Sequence, residues 1–179
     1  MLQRVGNNRP KIFGICDLTQ GHYQAPLAMS SRLFTAFITS FGLYEWLRVY
    51  IGLKRAPSYF QRILATVVLA GLIMVICELY TDDVLIYAQS DEEFIQTVEQ
   101  VFGRFRKHNI TIKPTKCRLG LSRAEYVGHV LSSEGLTFSK EKKQKVLDFT
   151  KPKTYREVKS FLGLVGYFHS HVGVRGASQ

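Results

Sequence analysis

Two adjacent carboxylates, Asp82 and Asp83, interrupt an otherwise apolar stretch from Met74 to Tyr87, and no ordinary folding requirement puts them there. Met74 to Tyr80 is apolar or aromatic except for Glu78, and Val84 to Tyr87 is a second short run of strand formers. Both segments predict strands. Thr81-Asp82-Asp83 between them predicts a tight hairpin with both carboxylates at its tip. Aspartate is common in turns, and an isolated Asp-Asp pair is ordinarily turn chemistry. Here the flanking strands must be buried, and two like charges side by side repel unless a cation compensates them. Mg²⁺ takes carboxylate oxygens together with substrate phosphates. A hairpin tip of this kind suits phosphoryl transfer if a third carboxylate joins it.

Asp17 is the candidate third acid. Lys11 to Leu18 predicts a strand, with Ile12, Phe13, Ile15, Cys16 and Leu18 around it. A lone aspartate near a strand end is more often a cap or a surface residue. The segment Thr19-Gln20-Gly21-His22-Tyr23-Gln24 that follows leaves the strand through a glycine, as a loop over a ligand does. Phe34 to Phe41 and Leu47 to Leu53 predict two further strands, and Pro57 suits the first turn of a helix running to Ala70. Ser90 with Glu93 forms a capping box, followed by Phe94, Ile95, Val98, Val101, Phe102 and Phe105 at helical spacing. Tyr126 to Ser132 predicts a strand, and Ser139 to Phe149 and Tyr155 to Tyr167 predict two helices. Met1 to Pro10 shows no periodicity. The order implies a mixed α/β fold, an antiparallel sheet with two helices on one face and the three carboxylates on the open face.

Charge is segregated along the chain. Of the net +10, residues 1 to 103 contribute −1 and residues 104 to 159 contribute +10, with Arg175 the only charged side chain beyond them. Solvated lysines usually serve solubility, and Arg104, Arg106 and Lys107 suit a helix C-terminus. The separation nonetheless implies a polyanion held by one half and worked on by the other. The three cysteines, Cys16, Cys77 and Cys117, are scattered, which indicates neither a disulfide framework nor a zinc site and fits a reducing, intracellular compartment, cytoplasmic or nuclear. The fifteen residues from Ile63 to Cys77 carry no charge. That falls short of the roughly 20 a bilayer needs, and no secretory signal opens the chain. No membrane partner is expected.

These motifs together resemble the reverse transcriptase of gypsy-type LTR retrotransposons and related retroviral polymerases, over about residues 4 to 172. Ile15-Cys16-Asp17-Leu18 with Gly21 is similar to the first catalytic motif of that family, and Tyr80-Thr81-Asp82-Asp83 to its Tyr-x-Asp-Asp motif. Thr35-Ala36-Phe37, Phe41-Gly42-Leu43-Tyr44-Glu45-Trp46 and Gly52-Leu53-Lys54-Arg55-Ala56-Pro57 resemble the middle of its palm. Lys116-Cys117 and Val127-Gly128-His129 resemble the closing palm motifs, the latter the primer grip, and Phe161-Leu162-Gly163-Leu164 resembles the thumb side before the connection to RNase H.

The resemblance implies a palm over residues 1–135 and part of a thumb or connection over 136–179, with the fingers missing. It implies an RNA-directed DNA polymerase in which Asp17, Asp82 and Asp83 gather two Mg²⁺, or Mn²⁺ in their place, with help from the carbonyl of Leu18. His22, Tyr23, Ile51 and Gly52 would contact the nucleotide. Lys116, Gly128, His129, Lys140, Lys142, Lys143 and Lys145 would hold the nucleic acid. The implied partners are an RNA or DNA template with its primer, dNTPs, and neighbouring RNase H and integrase segments of a polyprotein. Two departures stand out. The family's Gly-Tyr-His-Gln is Gly21-His22-Tyr23-Gln24 here, and its Met-Pro-Phe-Gly is Val49-Tyr50-Ile51-Gly52. The missing fingers and His22 support a second expectation, a catalytically inactive nucleic-acid-binding remnant of a decayed retroelement, whereas the intact Asp17, Asp82 and Asp83 support the first.

Overall fold

The computed structural model describes residues 2–50, 52–139, 144 and 147–169. It separates into two compact units, Met1–Thr137 and Phe138–Gln179. The first unit is built on a four-stranded sheet in the order β4-β5-β1-β6, with β1 Ile12–Asp17, β4 Cys77–Tyr80, β5 Asp83–Ala88 and β6 Arg118–Leu121. β5 pairs antiparallel with both β1 and β4. The expected α/β arrangement with an antiparallel sheet is therefore present.

Alternation along β1 and β5 divides the apolar side chains between two cores. Cys16, Leu18, Val84 and Ile86 point to one face, where α2 Ala56–Ile63 brings Phe60 and α3 Asp91–Lys107 brings Phe94, Val101 and Phe105. Two helices cover this face, as expected. Gly14 admits that packing, because a Cβ there would lie 3.0 Å from the Phe94 ring and 2.8 Å from Leu119. Phe13, Leu85 and Tyr87 point to the other face, against Val5 of the N-terminal helix α1 Leu2–Asn8 and against Ala124, Tyr126 and Leu131. The latter three belong to a separate three-stranded sheet, β7 Arg123–Tyr126, β8 His129–Ser132 and β9 Gly135–Phe138. The second face is thus covered over much of its length, contrary to the expectation of an open one.

Several boundaries differ from expectation for local reasons. Residues 1–10 lack an amphipathic repeat, yet Leu2–Asn8 is helical because Val5 and Gly6 seat it on the fold. The first strand of the hairpin begins at Cys77 and not at Met74, which adopts a left-handed φ of 69°. Tyr126 to Ser132 is two strands, since Val127 and Gly128 have φ of 51° and 71° and form a two-residue turn. The helix from Ala56 ends at Ile63 and continues as a π-helical turn over Leu64–Val68. Of the middle strands, β2 Phe37–Thr39 and β3 Gly42–Tyr44 form among the described residues, as a separate hairpin whose Ile38 and Phe41 are 84% and 88% exposed. Leu47 to Leu53 contributes one isolated bridge, Arg48 to Pro26.

The capping box is present, with Glu93 N–H donating to Ser90 Oγ at 3.2 Å and Gln89 N–H donating to Glu93 Oε2 at 2.8 Å. In the second unit the helix Tyr155–His169 is capped in the same way by Thr154 and Glu157. The predicted helix over Ser139 to Phe149 lies largely outside the described residues. Among the described residues no helix is long and apolar enough to cross a membrane.

Glu78 is a charged side chain in the middle of β4. It is fully buried, and the Arg4 guanidinium of α1 pairs with it while also donating to the Met74 carbonyl. Burial pushes the Glu78 carboxyl above its usual range, and Arg4 pulls it part of the way back. A carboxyl with a raised folded pKa weakens the fold as pH climbs through that pKa, and losing the cation raises the pKa further. Arg4→Met is therefore expected to cost about 2 kcal/mol at pH 7.5. That is less than for a fully buried pair, because Arg4 is partly solvated. The cost should shrink as pH falls and Glu78 becomes neutral in both proteins, which urea denaturation at pH 7.5 and pH 5 measures.

Candidate acidic site

Asp17 ends β1 and Asp83 opens β5, and the register sets the two directly opposite each other. Asp83 also pairs with Tyr80 across the hairpin, so the two-residue tip is Thr81-Asp82 and Asp83 belongs to the strand. Thr81 takes a φ of 55°, a strained choice for a β-branched residue. This fixes where the carboxylates go. Asp82 points into a cavity of about 560 Å³, shared with Asp17, Leu18, Gly21, His22 and Tyr23. Asp83 lines a neighbouring cavity of about 330 Å³, with Asp17, Arg118 and Glu125. Asp17 is common to both.

Backbone hydrogen bonds hold this junction. Leu18 N–H donates to the Asp82 carbonyl at 3.1 Å, and Lys113 N–H donates to the Asp17 carbonyl at 2.8 Å. The Tyr126 hydroxyl donates to the Asp83 carbonyl at 2.8 Å, tying the hairpin to the second sheet. Gln24 locks the loop after β1: its Nε2 donates to the carbonyls of Thr19 and Thr111, and its Oε1 accepts from Thr111 N–H. Gly21 is required by contact, since a Cβ there would sit 2.4 Å from the Asp82 carboxylate.

The electrostatics are those of crowded acids. Burial raises the Asp82 carboxyl, a neighbouring His22 charge opposes that rise, and Asp17 adds to it. Burial raises Asp83 as well, reinforced by Asp17 and Asp82 and opposed by Lys116. Lys116 Nζ lies 3.0 Å from Asp17 Oδ2. Asp82 Oδ1 and His22 Nδ1 are buried without a hydrogen-bond partner. Among the described residues no three His, Cys, Asp or Glu side chains are already arranged as a metal cage. The donor set nevertheless suits a hard divalent cation: an orphaned carboxylate oxygen, two neighbouring carboxylates that repel each other, and no soft ligand among them.

The other sequence-predicted site residues divide. Leu18, His22, Tyr23 and Lys116 line the acidic cavity. Gly52, with φ 122°, lies against the Tyr50 ring and reaches the site through a chain of rings, Tyr50 stacked on Trp46 at 5.0 Å and Trp46 tilted against Tyr23 at 6.0 Å. Gly128 shapes the β7–β8 turn and His129 is buried beside it, 6% exposed. Ile51, Lys140, Lys142, Lys143 and Lys145 lie outside the described residues. Sequence reasoning gave no role to Lys113, which lines the acidic cavity, or to the Gln24 lock and the Tyr126 tie. Gln24 ends a motif that was visible, whereas Tyr126 and Lys113 depend on long-range packing.

A family model described as reverse transcriptase (RNA-dependent DNA polymerase) matches residues 4–165. The chain is 31% identical over 160 residues to the retrovirus-related Pol polyprotein from transposon 297 of Drosophila melanogaster, covering 89% of this chain and 15% of that protein. It is 30% identical over 162 residues to the transposon Tf2-3 polyprotein of Schizosaccharomyces pombe, covering 90% of this chain and 12% of that one. A foamy viral protease-reverse transcriptase in complex with double-stranded DNA shares the fold, with a TM-score of 0.78 and 24% identity over 89% of this chain and 28% of that chain. The same enzyme with an RNA/DNA hybrid gives a TM-score of 0.72 over 89% and 21%.

The Gly21–Asp82 contact is testable. Added Mn²⁺ is expected to raise the melting temperature of the protein, and Gly21→Ala, which must displace the Asp82 carboxylate, should lose most of that rise. An equal rise in both proteins would show that Asp82 accepts no cation.

Proposed function

The chain belongs to the reverse transcriptase (RNA-dependent DNA polymerase) family, and from that premise we propose that it carries the acidic centre of a template-directed nucleotidyltransferase. Residues 1–135 are its palm and 136–179 part of its thumb or connection. The observation that carries the proposal is the register pair Asp17–Asp83 with Asp82 one residue away, half-buried and with one buried oxygen that has no hydrogen-bond partner. Asp17 and Asp82 would hold Mg²⁺ or Mn²⁺, together with the Leu18 carbonyl, and Asp83 would add negative charge from the adjoining cavity. When bound, such ions activate the primer 3′-hydroxyl and stabilise the leaving pyrophosphate.

The chain's own residues do the positioning. The Tyr126 and Lys113 hydrogen bonds fix the backbones that carry Asp83 and Asp17, and positioning with charge stabilisation is most of what phosphoryl transfer requires. Lys113 and Lys116 face the acidic cavity and offer ammonium groups to phosphate oxygens. His22 and Tyr23 form a wall where the sugar of an incoming dNTP would lie. The basic excess beyond residue 103 would hold an RNA or DNA template with its primer through the phosphate backbone, largely irrespective of sequence. The chain spans 15% or less of the two polyproteins compared above, and the RNase H and integrase segments that the resemblance implies would be its neighbours in such a polyprotein.

The ion pair between Lys116 and Asp17 favours a second reading, an inactive protein that keeps fold and charge and binds nucleic acid. Primer extension with dNTPs in Mg²⁺ separates the two. Joined to the segment that precedes this region in a related polyprotein, the chain is expected to extend a primer. Asp17→Asn or Asp82→Asn should reduce the rate by at least about a hundredfold, as removal of a transition-state stabiliser does. Salt-sensitive binding without extension would establish the inactive reading, and extension indifferent to both substitutions would refute the acidic centre.

A further inference from the structure

Next to the acidic centre, on the strands that build it, lie two cysteines the proposed chemistry does not use. Cys16 precedes Asp17 on β1, and Cys117 follows Lys116 immediately before β6. β1 and β6 are antiparallel neighbours paired at Ile15 and Arg118. One step further along both strands, Cys16 is set against Cys117, and the two thiols lie close enough to interact. Cys16 is fully buried in the helix-covered core, and Cys117 packs against the same core while remaining partly exposed. Cα atoms facing each other across antiparallel strands lie about 4.5–5.5 Å apart, inside the range a disulfide spans. Cys77 has no such opportunity. It sits on β4, separated from β1 by β5.

We infer that Cys16 and Cys117 are a dithiol that oxidises to an intramolecular cross-strand disulfide, a modification site whose two residues adjoin Asp17 and Lys116 of the acidic cavity. The oxidant is a low-molecular-weight disulfide such as glutathione disulfide. The Cys117 thiol, reachable from solvent, gives up its proton, and its sulfur attacks one sulfur of the oxidant, breaking that S–S bond and releasing one thiolate. The Cys16 thiol then loses its proton, and its sulfur attacks the Cys117 sulfur of the mixed disulfide, releasing the second thiolate. The two released thiolates take up the two protons. Two protein thiols are oxidised and one external disulfide is reduced. Cys16 is fully buried and Cys117 is partly exposed, so the external disulfide meets Cys117 first. The bond joins the residues next to Asp17 and Lys116, and so pins the Lys116 segment to β1.

The 179-residue protein, incubated with glutathione disulfide, denatured, alkylated and mapped by mass spectrometry, is expected to show a peptide pair linked through Cys16 and Cys117, with Cys77 alkylated and the link reversed by dithiothreitol. Cys77→Ser should leave the link intact. Cys117→Ser, at a partly exposed position, should abolish it, and Cys16→Ser should stop the reaction at the mixed disulfide on Cys117. A wild-type protein that stays at that mixed disulfide, links through Cys77, or forms only intermolecular bonds would overturn the assignment.

Discussion

The register of β1 on β5 is the constraint on which the site depends. It sets Asp17 against Asp83, so two strands rich in apolar side chains end on a pair of like charges. Antiparallel pairing tolerates like charges opposite each other only at a cost, which a cation can offset. The same register sends Cys16, Val84 and Ile86 into the helix-covered core and Phe13 and Leu85 into the other, so a one-residue slip would exchange the two faces. Core and site are therefore specified by one alignment. The site cannot shift without unpacking the sheet.

Everything else at the site restrains that alignment. Tyr126 reaches from the second sheet to the Asp83 carbonyl, and its hydroxyl is pushed well above its ordinary range chiefly by burial, so it remains a neutral donor. Gln24 and the backbone of Lys113 anchor the other side, where the chain leaves β1. Arg4 anchors the far end by neutralising Glu78 beneath the hairpin. The α1 helix was invisible to periodicity, and it completes the core that carries Tyr126.

Legibility in the sequence followed the range of the interactions. The Ser90–Glu93 box and the apolar repeat after it are local signals, and the helix Asp91–Lys107 formed where they placed it. The strands around Asp17 and Asp83 were readable for the same reason. What failed depended on partners distant in sequence. Asp83 looked like turn and is strand, because Asp17 pairs with it across the sheet. Tyr126 to Ser132 looked like one strand, and Val127 adopts a left-handed conformation that strand formers normally avoid, because its neighbours pair back as a hairpin. Leu47 to Leu53 has strand composition and, among its described residues, contributes a single bridge. The three acids were readable as a group, but not the division of Asp82 and Asp83 between two cavities, which strand alternation decides.

Asp17 and Asp82 together are proposed to accept a divalent cation at the end of this strand pair. The decisive measurement is anomalous diffraction at the manganese edge, from crystals of the protein grown with Mn²⁺ and a template-primer duplex. An anomalous peak is expected within coordination distance of both carboxylates, with the Lys116 ammonium withdrawn from Asp17. Ordered carboxylates with no peak between them, and Lys116 still paired to Asp17, would contradict it.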